Sequence, residues 1–494
     1  MEKEIKEKKE PTLGVAILPL IFMFVTLFVG LVIFKIDIKI LLLICAAFTV
    51  AICLYLGYSW NDIQDEIVVK LAKAFPAIMI LIVVGMMIGA WMIGGTIPFL
   101  VYLGLKIISP KFIIVTSFLV TVILSISTGT SWGAAGTVGA ALMGVAAGMG
   151  APLPAVAGAI VAGAYFGDKM SPLSDSTNMS AIATDTNLYA HVGHMLYTTV
   201  PGFIVSCIVY VIAGIHFESE GSVAKVDSIM NEISQLFNLS MPIALLLLVP
   251  PIIVVGGSLL KKPTIPVMIV SSAASVIIGI TLQGFSFKDA ADAMVNGFSI
   301  DMFKNVSITA ESLLPEVANL LQRGGMLSMM NTALMAFCAF AFIGAMTISG
   351  TLDVVIARIM KHIHSTGQLI TVTVIIGVIV IVVIGEASVS FLMIGGLFKD
   401  EYVKRGLQTK NLSRTLEDSI TVVEPLVPWS LAGVYMASTL GVSTVEYAPW
   451  AVLCYTGIIF AIIWGFTGFG IAKIKKDGAN YKDYVRLTDR ALEE

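Results

Sequence analysis

The sequence predicts an all-α polytopic membrane protein, made of two inverted repeats with about ten transmembrane helices plus two re-entrant hairpins or broken helices. Three observations lead there. Of 494 residues, 57% are hydrophobic and only 13% are charged, about half the ~25% usual for soluble domains. Mean hydropathy is +0.93, and residues 75–215 hold six charges: Lys106, Lys111, Asp168, Lys169, Asp175 and Asp185. The second half of the chain also echoes the first in order. A soluble fold, a nucleic-acid binder and a disordered scaffold are excluded; the partner the composition demands is the lipid bilayer. The net charge of −3 identifies no partner.

Taken from the start, residues 1–10 form a charged arm. The apolar run 14–34 that follows is too long for a signal h-region and lacks a small-residue cleavage site, so it reads as the first span. Further runs able to cross a bilayer fall at 38–57, 76–95, 111–149, 153–188, 195–215, 240–257, 264–282, 328–348, 367–398, 412–440 and 445–471. Two of them, 111–149 and 367–398, are interrupted by polar, Gly-containing breaks at 128–133 (TGTSWG) and 385–390 (GEASVS). A third interruption spans 167–178. The Gly- and Ala-dense stretch 133–167 suits close helix packing in lipid. Cys45, Cys53, Cys207, Cys338 and Cys454 lie in apolar stretches without paired spacing and read as small core residues. His191 and His194 lack the companions of a zinc motif and read as polar residues at a helix end; His362 and His364 read as surface residues. No G-x-x-x-x-G-K-[ST] occurs, which argues against ATP-driven pumping.

The internal echo sets the architecture. Residues 88–96 (IGAWMIGGT) align with 343–351 (IGAMTISGT), Lys106 with Lys361, Gly129 with Gly385, and Pro172-Leu173 with Pro425-Leu426, all at nearly constant spacing. Earlier, 57–62 (GYSWND) echoes 284–289 (GFSFKD). The expected organisation is a charged cytoplasmic arm 1–10, a first repeat 11–217, an extracytoplasmic linker 218–237, a second repeat 238–472 and a basic cytoplasmic tail 473–494. Lysines of the arm and tail, with Lys261, Lys262, Arg358 and Lys361, favour the cytoplasm, whereas the acidic linkers 218–232 and 288–323 favour the outside. The repeats are therefore inverted. Inversion needs an odd number of crossings in each, which two re-entrant hairpins at 111–149 and 367–398 would supply; broken spanning helices are the competing arrangement.

Non-helical backbone at membrane depth is tolerated where it lines a cavity, and inverted-repeat transporters gather such breaks around an ion and substrate site. An intramembrane carboxylate is costly and marks a functional candidate. The stretch 167–178 (GDKMSPLSDSTN) offers two carboxylates, four hydroxyls and an amide, hard oxygen donors suited to a hard cation. The candidate sodium and proton ligands are Asp175, Asp168, Ser174 and Asn178, with Thr130 and Ser131 from the first break, Glu386 and Ser388 from the second, and Glu424. The bland alternative for Asp168 is a solvated pair with Lys169. Asp185 reads as a helix cap. Glu417 and Asp418, adjacent on a helix, cannot both face one site.

The run 163–175 (GAYFGDKMSPLSD), with Glu386 and the stretch 424–429 (EPLVPW), closely resembles the NhaC family of sodium/proton antiporters; the likeness extends from Gly57 to about Trp464. That resemblance implies exchange of sodium for protons across the cytoplasmic membrane of a prokaryote, with sodium as transported substrate, no cofactor and no enzymatic step. Similar sequences include malate/lactate antiporters, so a small organic anion or an amino acid is the alternative cargo. Outer scaffold helices would suit a homodimer.

Overall fold

The computed structural model describes residues 9–216, 223–260, 262–303, 313–322, 324–360, 363–475, 478 and 480–486. Lys361, His362, Lys261, the linker residues 217–222 and 304–312, and most of the arm 1–10 lie outside the described residues. Among those described, the chain is helical apart from turns and a single β-bridge between Leu407 and Lys473.

The first part of the chain forms α1 (Leu13–Phe28), α2 (Ile38–Tyr55), α3 (Trp60–Ile93), α4 (Thr96–Ile107) and α5 (Ile113–Thr128). A short α6 (Ser131–Ala134) runs through a π-helical turn into α7 (Ala140–Gly148), followed by α8 (Leu153–Met170), α9 (Asp175–Ala183) and α10 (Leu188–His216). The second part contains α11 (Val223–Leu236), α12 (Met241–Leu247), α13 (Val249–Leu259), α14 (Thr264–Thr281), α15 (Phe287–Asn296) and α16 (Pro315–Leu321). It continues with α17 (Met330–Ile348), α18 (Thr351–Met360), α19 (Thr366–Ile384), α20 (Ala387–Lys404), α21 (Lys410–Leu416), α22 (Leu431–Leu440), α23 (Thr444–Tyr447) and α24 (Val452–Thr467). Among the described residues, eight helices are long and apolar enough to cross a membrane, and two bent pairs, with bends of 48° and 56°, bring the number to as many as ten. The protein is an all-α polytopic membrane protein. Along α10, Ile204, Ile208, Ile212 and Ile215 are exposed at one-turn spacing, a stripe that suits lipid.

Helix boundaries follow local chemistry, and they match at positions where the sequence repeats. α3 opens on a capping box in which Ser59 Oγ accepts from the Asp62 amide (3.2 Å) and Asp62 accepts from the Ser59 amide (2.9 Å). α15 opens on the same device, Ser286 with Asp289. α5 ends on Gly129 and α19 on Gly385, with φ of 70° and 66°. The next residue is extended in both: Thr130 at φ −143°, ψ 122°, and Glu386 at φ −146°, ψ 126°. Each then caps the helix that follows.

The left-handed glycines make a testable pair. A Cβ on Gly129 would fall 2.6 Å from Leu173 Cβ and 2.8 Å from its carbonyl carbon, whereas at Gly385 the nearest atom is 3.4 Å away. Gly385→Ala should cost only the left-handed backbone penalty, about 1–2 kcal/mol. Gly129→Ala should cost about 1–3 kcal/mol more through overpacking. Thermal unfolding of the two variants in detergent checks the order.

The helices pack as two groups. α2, α3, α14, α15 and α17 pack on one another, with α1 against α2. α5 packs along α8, α10 against α24, α24 against α19, and α9 against α20. Small residues set the α5–α8 approach: a Cβ on Gly163 would lie 2.5 Å from the Phe118 carbonyl oxygen, and one on Gly167 would lie 2.4 Å from the Ile126 nitrogen. This contact holds the end of α8 against the break after α5.

Candidate functional site

A pocket of about 350 Å³ opens at the seam between the two groups. Pro76 and Ile80 of α3 and Thr264 of α14 form one wall. The other wall is polar and comes from the helix breaks: Thr130 and Ser131, Asp168, Asp175 and Ser176, Glu386 and Ser388, and Glu424. Breaks far apart in sequence thus meet in one place. Among the described residues, no lysine, arginine or histidine lines the pocket.

Asp168 is the most closely held carboxylate. Ser131 Oγ donates to its Oδ2 at 2.7 Å, and Ser174 Oγ donates to its Oδ1. Ser174 is in turn 3.0 Å from Ser176 Oγ. Thr177 Oγ1 donates to the Asp168 carbonyl at 2.8 Å, and Ser171 Oγ to the Ile126 carbonyl at 2.9 Å, so the turn after α8 is tied to both α8 and α5. Ser131, which lines the pocket, retains an oxygen lone pair that a cation there can use, whereas Ser174 is fully buried and not among the lining residues.

Glu386 caps α20: its Oε1 accepts from the Ser388 amide at 2.9 Å and its Oε2 from the Val389 amide at 2.8 Å. Thr130 performs the corresponding task for α6, accepting from the Gly133 amide at 3.2 Å. Glu424 is buried and faces the backbone N–H groups of Ala387 and Ala432, in the first turns of α20 and α22. The first turns of two helices therefore meet at one buried carboxylate. Asp175 begins α9 and is exposed at the pocket's rim. Asn178 is not among the lining residues; its amide nitrogen donates to the carbonyls of Pro172 (3.1 Å) and Ser174 (2.6 Å), pinning the turn.

With this geometry in place, similarity to known proteins is informative. The profile of the Na+/H+ antiporter family matches residues 163–469, which include Asp168, Glu386 and Glu424. The chain belongs to the Na+/H+ antiporter family. It is 47% identical to an uncharacterized Na+/H+ antiporter of Haemophilus influenzae, over 96% of this chain and 100% of that one. It is 34% identical to the Na+/H+ antiporter NhaC of Alkalihalophilus pseudofirmus (94% and 98% covered). It is also 33% identical to the malate-2H+/Na+-lactate antiporter of Bacillus subtilis (94% and 96% covered). The NhaC resemblance read from residues 163–175 thus extends over nearly the full length, and the relatives are transporters.

This antiporter-family chain also holds a second polar cluster, deeper than the pocket, that its sequence only half discloses. Lys169 does not form a solvated pair with Asp168. Its side chain is 1% exposed and forms an ion pair with Asp418, itself 0% exposed. Gly457 makes room for the pair; a Cβ there would lie 3.2 Å from Asp418 Oδ1 and 3.4 Å from Lys169 Nζ. Glu417 and Asp418 do diverge as adjacent helical residues must, but on a π-helical turn, Glu417–Thr421. Glu417 turns to Ser180 of α9, Asp418 to Lys169 of α8.

His191 and His194 are likewise buried, not at a wet helix end, and hydrogen-bonded to Ser180, Ser413 and Asn411. Asp185 is not a cap: it sits at φ 48° and pairs with Lys399, while Asn187 caps α10 by accepting from the amides of Tyr189 and Ala190 at 3.1 Å. His364 is exposed.

Proposed function

We propose that this protein exchanges sodium for protons by alternating access, with the pocket at the seam as the shared site. The supporting observation is the composition of the polar wall: carboxylates and hydroxyls from four helix breaks, with no cationic side chain among the described residues that line it. Hard oxygen donors suit a hard, bare cation. Sodium and protons compete for the same carboxylate oxygens, Asp168 foremost, with Ser131, Ser174, Asp175, Glu386, Ser388 and Glu424 around it and Thr130 holding the first break. Asn178 holds the turn.

The pocket's position gives the motion its geometry. One wall belongs to the α3–α14 group and the other to the group containing α5, α8 and α20, so sliding or rocking one group past the other carries the carboxylates between the two sides. The two sequence repeats, 11–217 and 238–472, are the natural units of that exchange if they are inverted, as the charge distribution argues. Both termini then face the cytoplasm of a prokaryotic cell, and scaffold helices away from the pocket would suit a homodimer.

A second reading, coupled antiport of a small organic solute such as malate, lactate or an amino acid, is supported by the relative that exchanges malate and lactate and by the pocket's volume, which falls in the range for small ligands. Against a dicarboxylate stands the absence of a lining lysine or arginine among the described residues. The test is reconstitution into liposomes with an internal pH indicator. Outward proton movement on adding internal-free, external sodium alone is the expected result. Movement that begins only when an organic acid or amino acid is supplied would replace cation exchange with solute antiport.

A further inference from the structure

Behind the pocket, four buried side chains form a continuous hydrogen-bonded row. Glu417 Oε1 accepts from Ser180 Oγ at 2.9 Å; Ser180 Oγ is 3.2 Å from His191 Nε2; His191 Nδ1 is 2.8 Å from Ser413 Oγ. Ser413 Oγ also lies 3.2 Å from the Lys410 carbonyl, the acceptor its hydrogen can take in place of Nδ1. All four side chains are 0% exposed. At the far end lies a cavity of about 490 Å³ lined by Ala190, His194 and Lys410, the immediate neighbours of the row. At the near end, Glu417 Oε2 and the adjacent Thr421 hydroxyl are buried, and neither closes a hydrogen bond among the described residues.

A buried carboxylate needs a counter-charge, and among the described residues Glu417 has no ion-pair partner of its own. The charged and titratable groups that face it are Lys169 and Asp168 of α8 and, through Ser180, His191 of α10. Lys169 is already engaged by Asp418. A charge left uncompensated in such surroundings costs several kcal/mol, whereas a bound proton removes it. The row supplies what a proton needs to arrive, since hydroxyl and imidazole are both donors and acceptors.

We propose that Glu417 is a second proton-carrying site, separate from the sodium pocket and loaded from the Lys410 cavity through Ser413, His191 and Ser180; the proposal rests on the proton exchange argued above. The transfer balances atom by atom. With Ser413 donating to Nδ1 and Nε2–H donating to Ser180, a proton entering at Ser413 displaces that hydroxyl's hydrogen to Nδ1. Nε2 releases its own to Ser180 Oγ, and Ser180 passes its hydrogen to Glu417 Oε1. The carboxylate becomes a carboxylic acid, and the imidazole stays neutral with its tautomer exchanged. Asp418 takes no part, because Lys169 holds it.

The test uses the full-length protein in lipid and two measurements. Infrared difference spectra across a pH titration should contain the stretch of a protonated buried carboxyl that disappears in Glu417→Gln and persists in Asp168→Asn. In liposomes, Glu417→Gln and His191→Phe should slow sodium-driven proton movement by ~100-fold, the scale of a lost proton-transfer group, while Glu417→Gln, which keeps the bond to Ser180, retains wild-type thermal stability. Loss of no band in Glu417→Gln, or wild-type proton movement in that variant, overturns the proposal. If the wild type moves no protons with sodium, cation exchange itself fails, and the infrared band still decides whether Glu417 carries a proton.

Discussion

Asp168→Asn is expected to abolish sodium-driven proton movement, with a fall of at least ~100-fold, while Asp175→Asn lowers it severalfold at most. The difference follows from placement. Asp168 receives the hydroxyls of Ser131 and Ser174, one from each side, so its carboxylate is fixed where the break after α5 meets the end of α8. An amide there accepts through one oxygen only, turns an NH2 toward a hydroxyl donor and removes the charge that a sodium ion needs. Asp175, exposed at the rim, keeps a solvated carboxylate that attracts cations to the mouth without organising their ligands. Its loss should raise the sodium concentration for half-maximal rate, and high salt should mask it, because exposed charges are screened. Equal loss in the two variants would mean that the rim carboxylate is itself the binding group.

Lys169→Met should be strongly destabilising. The lysine is buried against Asp418, and removing it strands a carboxylate whose Oδ2 already lacks a hydrogen bond. Breaking a buried pair from one side costs about 3–5 kcal/mol. Replacing both partners, Lys169→Met with Asp418→Asn, should recover most of that, since neither charge of the pair is then left without the other. A thermal-unfolding double-mutant cycle in detergent measures the coupling. A single variant as stable as the wild type would show that Asp418 does not depend on Lys169 for its counter-charge.

The pocket and the ion pair mark where sequence stops being informative. The polar breaks at 128–133, 167–178 and 385–390 stand out because a bilayer tolerates so little polarity that each interruption is conspicuous. Gly129 and Gly385 announce their own positions, being glycines where helices must end in left-handed backbone. Lys169 is different. From sequence its nearest acid is Asp168, one residue away, and a solvated pair is the natural reading. On α8 those neighbours point in different directions, Asp168 toward the pocket and Lys169 into the protein. The partner that satisfies the lysine lies 249 residues on. His191 and Ser180 are legible neither as motif nor as spacing, because their partners Ser413 and Glu417 come from the second half of the chain.

By itself the sequence determined that this chain is an all-α membrane protein, where its helices break, and which carboxylates stand at the breaks. Those follow from local energetics, since hydropathy, glycine conformation and the cost of a charge in lipid act on a few residues at a time. Tertiary structure alone decided which breaks meet, that Asp168 rather than Asp175 is enclosed by hydroxyls, and that Lys169, Asp418, Glu417 and His191 share a buried polar layer. The physical reason is that a buried charge or donor must find its complement wherever packing supplies one, and packing joins helices without regard to distance along the chain.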